Sequence, residues 1–548
     1  MALALVAGCA PMAEQDARID TPAANPQISV ETLRGLTETL SSDEFEGRAP
    51  GTRGEELTVE LLAERFAAAG LEPGNGDSWY QEVPLVELTA DPDSARLSYS
   101  GGGETRSLDY GEEMVIWTKR VTGSIDVENA EMVFVGYGIN APERGWNDYE
   151  GIDVTDKVVV ILVNDPDYQS PTNDGTFDGR AMTYYGRWTY KYEEAARQGA
   201  AGAIIVHDTE PASYGWNVVE SSWTGPQLDM DAEDNHMDRL PFEGWVTNEV
   251  ARAMFEAAGK DLATLSTAAR QQGFRAVPLG LTASAHLESS IRRQASRNVV
   301  GILPGATRPD EYILYTAHWD HLGRCTPDET GDDICNGALD NATGTAGLVA
   351  LAEAHAAAEP LDRSLVFLAV TAEESGLLGS AYYADDPVFP LAQTVGGINM
   401  DGLNIVGPSR DVVVVGGGKS ELEEILARAA EAQGRVIRPE PSPEAGYFYR
   451  SDHFSLARRG VPMLYAESGE DLRNGGPEAG HAASMAYREA HYHAPSDEYD
   501  RGWNWAGAIE DLELYYTIAR ELAESEAWPN WYEDAEFRAA RDASRGNQ

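Results

Sequence analysis

Between Ser29 and Ala69 the apolar positions recur at helical spacing: Val59, Leu62 and Phe66 fall at i, i+3 and i+7, and Gly70 stops the run. The spacing predicts helices on both sides of the link Phe45-Glu46-Gly47-Arg48, which Gly51 and Gly54 follow. Such a Gly-rich link reads either as a turn or as backbone close to a pocket. Near Gly123 the texture changes. Short apolar runs, Met132-Val133-Phe134-Val135 and residues 157–163, are separated by Gly, Asp and Pro and predict a small β-rich module. One helix, around 190–198, punctuates it, and Gly199 then leads into the apolar run that ends at Val206, a helix stop followed by a buried strand. After Arg297, strand patterns at 299–303, 312–317, 365–370, 398–400, 412–415 and 462–465 alternate with helical ones such as 344–358 and 420–433. That alternation predicts an α/β fold with a largely parallel sheet.

At 548 residues the chain exceeds what one core organises, so more than one domain is expected. A composition of 42% hydrophobic and 24% charged residues is that of a folded protein. The 91 acidic residues outnumber the 41 basic ones, leaving a formal charge of -50 that repels nucleic acid and anionic lipid. Solvation in salty surroundings accounts for such acidity. Val6-Ala7-Gly8-Cys9 has the look of a bacterial lipobox, after an apolar run too short to span a membrane and lacking a basic flank. With the polar, Pro-containing stretch 12–27 as tether, this predicts a secreted, periplasmic or envelope-anchored protein with Cys9 as the site of lipid attachment. Cys325 and Cys335 flank a Gly/Asp-rich stretch, and two readings stay open: a bonded pair in an oxidising compartment, or free thiols.

The chemistry is concentrated just past the strands of the second half, where open α/β sheets place their ligand sites. The strand pattern 312–317 delivers His318-Trp319-Asp320, Asp340 follows a Gly-rich loop, 365–370 delivers Glu373-Glu374, 398–400 delivers Asp401, and His493 comes from a late loop. Imidazole and carboxylate ligands suit zinc, and two ions sharing Asp340 suit the activation of one water. The expected division is His318 and Asp401 on one ion, Glu374 and His493 on the other. Glu373, the immediate neighbour of Glu374, is then the candidate general base. Asp320 is placed to accept the His318 N–H and fix its tautomer. Tyr492 reads as an oxyanion donor or, equally, as a packed tyrosine. Taken singly each residue is weak evidence, since a lone His or a Glu-Glu pair is usually structural or solvated. The ordered set carries the inference.

His-x-Asp, Gly-Ala-x-Asp-Asn, Glu-Glu-x-Gly-x-x-Gly-Ser, Asn-x-Asp-Gly and Tyr-His-x-x-x-Asp occur in that order. This order resembles the co-catalytic dizinc exopeptidases, which include bacterial leucyl-type aminopeptidases and glutamate carboxypeptidase. The resemblance implies a zinc exopeptidase fold, a mixed, mostly parallel sheet flanked by helices. It also implies two zinc ions per chain, peptide substrates, a cis peptide after Asp340, and His493 rather than His491 as ligand. His321 would stand in the site wall, and Ser451-Asp452-His453-Phe454 resembles a segment near the substrate cleft. Phe134-Val135-Gly136-Tyr137-Gly138-Ile139, the Asp153 to Val160 run and the Glu-Ala-Ala-Arg-x-Gly-Ala-Ala-Gly-Ala-Ile-Ile segment look like a protease-associated domain inserted into the peptidase. The expected organisation is therefore 1–27 leader and tether, 28–118 N-terminal peptidase portion, 119–280 protease-associated insertion, 281–527 zinc peptidase domain and 528–548 a fraying tail. An aminopeptidase is the favoured function. The alternatives are a carboxypeptidase, which needs a cationic pocket that the sequence does not display, a glutaminyl cyclase-like transferase with one zinc, and a receptor that has lost its ligands.

Overall fold

In the computed structural model, which describes residues 28–533 and 535–546, the strand Arg363–Val370 is buried at every position, as is Thr394–Asn399. Strands buried on both faces must be covered by helices on both sides, which is the environment of a parallel sheet. Arg308–His318 lies between these two and pairs parallel with each, Ile313 opposite Leu365 and Thr316 opposite Asn399. Met463–Ser468 extends the sheet in parallel, Asp411–Val414 joins it antiparallel, and the C-terminal end of Val277–Leu303 closes the other side antiparallel to Arg363–Val370. The sheet is mixed and mostly parallel, as expected. The helices Val30–Leu40, Arg53–Ala69, Gly344–Ala356 and Ala506–Glu524 contribute Leu33, Phe66, Leu348 and Leu512 to one continuous core over it.

The long strand Val277–Leu303 belongs to both halves. Its second part pairs with Tyr80–Ala90 and with Arg363–Val370, while its first part pairs with Ser124–Phe134 and Arg96–Gly101 in the β-rich module. In that module Ser124–Phe134, Val158–Leu162, Gly202–Val206 and Phe242–Val246 run parallel to one another, with Met114–Trp117 antiparallel at the edge. Strands 96–101, 104–107 and 114–117 thus join the module's sheet ahead of residue 119. The polar run Glu104-Thr105-Arg106-Ser107 has no strand signature of its own, because its register comes from pairing with Arg96–Gly101.

The C-terminal stretch does not fray as its polarity suggests. Trp531 is fully buried and its indole N–H donates to Gly460 O, Phe537 stacks on Phe448, and the Arg541 guanidinium donates to Val395 O. Three side chains anchor a segment whose average composition is polar. Cys325 and Cys335 form a disulfide, so the bonded reading holds. Among the described residues no helix is long and apolar enough to cross a membrane. Cys9 and the tether lie outside the described residues.

Candidate metal centre

Because Arg308–His318, Arg363–Val370 and Thr394–Asn399 are neighbours running the same way, His318, Glu373, Glu374 and Asp401 emerge at one edge of the sheet. Past Val370 the chain turns sharply at Ala372, whose φ of 52° is the left-handed conformation that costs a non-glycine residue about 1 kcal/mol. The loop before Gly344–Ala356 supplies Asp340, joined to Asn341 by a cis peptide bond. His493, also left-handed at φ 56°, is brought in by the loop after Gly476–Ala490.

These side chains meet. His318 Nε2 lies 3.3 Å from an oxygen of Asp340 and 3.3 Å from one of Asp401. His493 Nε2 lies 3.5 Å from the other Asp340 oxygen and 3.1 Å from Glu374. Asp340 therefore reaches both imidazoles, one with each oxygen. Donor atoms of His318, Asp340 and Glu374 fall within 4.8 Å of one another, and so do those of His318, Glu373 and Asp401. Burial opposes charge throughout, yet three carboxylates, Glu373, Asp401 and Asp340, hold the His318 imidazole well above its usual range, while His318 and His493 hold Asp340 well below its own. Burial and the neighbouring Asp401 and Glu374 charges push Glu373 far up. No lysine or arginine pairs with any of these carboxylates among the described ion pairs. A close set of carboxylates and imidazoles, with His318 buried and the carboxylates half-buried, that draws positive charge so strongly fits divalent cations, and its mixed N/O donors suit zinc.

The remaining predicted residues fall as follows. His318 Nδ1 is 3.2 Å from the backbone oxygen of Asp320 and 3.8 Å from its carboxylate. The tautomer is thus set chiefly by the main chain, while the Asp320 carboxylate accepts from Glu373 N at 3.1 Å and orients that loop. The Tyr492 ring stacks on His493 at 3.9 Å and is 43% exposed, so it is not a packed core tyrosine. His491 turns away, its Nδ1 on Ser496. His321 is buried and its Nδ1 lies 2.7 Å from Glu374 Oε1, a wall position in contact with a candidate ligand. His453 is fully buried with neither ring nitrogen hydrogen-bonded, and burial lowers it to about 3.

Sequence reasoning missed the scaffold behind these groups. Arg48 is fully buried and donates to Trp319 O, Leu40 O, Asn336 O and Gly337 O, clamping the loops after His318 and before Asp340. Beside it Gly47, at φ 66°, passes so close that an added Cβ would sit 2.5 Å from Cys335 O. The Gly-rich link is therefore backbone packed under the site as well as a turn. Asp497, the last residue of Tyr-His-x-x-x-Asp, accepts from Leu339 N, Asp340 N and the Tyr487 hydroxyl. Asn341 donates to Met400 O and accepts from Gly402 N, tying the Asp340 loop to the Asp401 loop.

Residues 298–517 match the sequence profile of peptidase family M28. Aminopeptidase YwaD of Bacillus subtilis is 27% identical over 239 residues, 42% of this chain and 46% of that protein. Aminopeptidase NAALADL1 of Mus musculus is 29% identical over 130 residues, 23% of this chain and 16% of the relative. The chain spans less than half the length of either relative. An aminopeptidase from Aneurinibacillus sp. strain AM-1 superposes with a TM-score of 0.52 at 20% identity, covering 91% of this chain and 95% of that one, a likeness of fold. Sheet, matched segment and converging ligand set together liken residues 298–517 of this chain to peptidase family M28.

Proposed function

We propose that the chain is a zinc-dependent exopeptidase that removes N-terminal residues from peptides. The observation that carries this reading is Asp340 standing between His318 and His493, with Glu374 and Asp401 completing two adjoining donor sets. Two zinc ions held by these five residues would polarise the scissile carbonyl and make water acidic enough to attack at neutral pH. Glu373 takes the proton of the attacking water and passes it to the leaving amine, a general-base contribution of about 10²–10⁴-fold. Asp320 fixes the Glu373 backbone for that task. Tyr492 donates its hydroxyl to the developing oxyanion, worth about 3–4 kcal/mol by analogy with other such donors. The β-rich module is read as a protease-associated domain bordering the cleft. The Cys325–Cys335 bond supports residence in an oxidising compartment, consistent with a secreted or envelope-anchored protein.

The test is hydrolysis of aminoacyl arylamides by the purified chain, abolished by chelator and restored by zinc, with two zinc ions per chain by elemental analysis. Glu373→Gln is expected to lower kcat by about 10²–10⁴-fold while zinc content stays at two. One zinc per chain, or no hydrolysis of any free-amine peptide, refutes the reading.

A further inference from the structure

Of the carboxylates gathered at the sheet edge, one is gripped from outside the candidate ligand set. His321 Nδ1 lies 2.7 Å from Glu374 Oε1, while Glu374 Oε2 lies 3.1 Å from His493 Nε2. The two oxygens of Glu374 are thus divided, one toward the wall and one toward the centre. Among the described residues, Asp340 and Asp401 receive polar side-chain contacts only from His318 and His493, imidazoles of the set itself.

The ring that grips Glu374 is held on several sides. Gly337, at φ 55°, passes so near that an added Cβ would sit 2.5 Å from His321 Cγ and Cδ2. The His493 ring meets it edge to face, centroids 5.7 Å apart at 76°, and the His321 backbone N–H donates to Arg48 O at 3.5 Å. The Asp340 loop, the His493 loop and the Gly-rich link therefore all bear on His321, which is 1% exposed, and they leave its ring little freedom to turn. Nδ1 makes the ring's one polar contact, for Nε2 is buried without a partner. An ionised carboxylate only accepts, so Nδ1 carries the hydrogen and donates it to Glu374. Leucine fills a similar volume and orphans no nitrogen, so what the imidazole adds at this place is the Nδ1–H bond. A short hydrogen bond from a fixed ring to one oxygen sets the orientation of the whole carboxylate, and outer contacts of this kind tune metal affinity.

We propose that His321 is a positioning residue for metal binding: it holds Glu374 Oε1 so that Oε2 is presented beside His493 and Asp340, and thereby sets the affinity for one of the two ions. This rests on the dizinc reading above. The affected ion is the one assigned to Glu374 and His493, and the ion of His318 and Asp401 is indifferent to His321.

The test is zinc titration by calorimetry of the full chain freed of metal by chelator, a readout independent of turnover. The parent is expected to take two zinc ions. His321→Leu should weaken one of them about 10–100-fold and leave the other within about twofold. His321→Asn, whose side-chain amide donates from near the place of Nδ1, should recover at least half of that loss on a logarithmic scale. Single-ion backgrounds identify the site: with Asp401→Asn the remaining ion should still respond to His321→Leu, and with Glu374→Gln it should not. Should His321→Leu fail to fold, judged by the Tm of the metal-free protein, His321→Ala removes the donor without adding bulk and decides in its place. Affinities that stay unchanged, or two ions weakened alike, overturn the positioning role. Fewer than two zinc ions in the parent sinks the dizinc reading and this proposal with it, whereas two zinc ions with no response to His321 sinks this proposal alone.

Discussion

A single buried side chain holds the metal centre in register. Arg48 delivers its hydrogen bonds to four carbonyls, one at the end of the first helix and three on the loops after His318 and before Asp340. Burial pulls the Arg48 guanidinium down to about 10 while Asp320, Asp497, Asp340 and Glu374 support its charge, so it remains a cation at neutral pH. Removing it leaves buried acceptors unpaired, each costing about 1–3 kcal/mol. Arg48→Met is therefore expected to lose several kcal/mol in denaturant unfolding and to hold fewer than two zinc ions. Arg48→Lys, with one compact ammonium in place of a fork, should restore only part of either. Unchanged zinc content in Arg48→Met would show that the loops hold themselves.

At the scale of the element, the strand ends were legible and the clamps between them were not. A continuous apolar run announces a buried parallel strand, and in an α/β sheet the residues just past such a run are the ones presented at the site. His318, Glu373, Glu374 and Asp401 could thus be located from local pattern alone. Arg48, Asn341 and Asp497 act through contacts with other segments, so the Gly-rich link and the motifs that contain them mark the stretch without revealing what each side chain ties down. The strand Phe242–Val246 shows a different limit of pattern reading, since Glu243 lies in a strand buried at every position. Burial pushes its carboxyl up to about 7, with Lys119 only partly offsetting. An unfolded Glu ionises near 4.5, so between about 4.5 and 7 the folded chain holds a proton that the unfolded chain has released, and stability falls as pH rises through that window. The penalty reaches at most about 3 kcal/mol above pH 7. Glu243→Gln removes it: the gap in Tm between variant and parent should widen from pH 4.5 to 7 and then level off. A gap independent of pH would mean that Glu243 is charged in both states or in neither.

Over the whole molecule the governing quantity is the formal charge of -50. Most of the ion pairs have at least one exposed partner, as in Arg501–Glu38 and Arg275–Glu150, and such pairs contribute about 0–1 kcal/mol each, less in salt. Against these small gains stands mutual repulsion among surface carboxylates, which the compact state concentrates and the unfolded chain relieves. Raising NaCl from about 0.01 M to about 1 M shortens the screening length from about 30 Å to about 3 Å, below the spacing of most surface charges. Screening removes more repulsion than attraction when acids exceed bases more than twofold, so the sign of the effect follows from the charge balance alone. Tm should rise by several degrees across that range, most of it below about 0.2 M where screening changes fastest, and an uncharged osmolyte at equal osmolarity should not reproduce that early rise. A Tm that falls with salt would show that specific ion pairs, the buried Arg435–Asp511 and the half-buried Arg363–Glu311 among them, outweigh the net field.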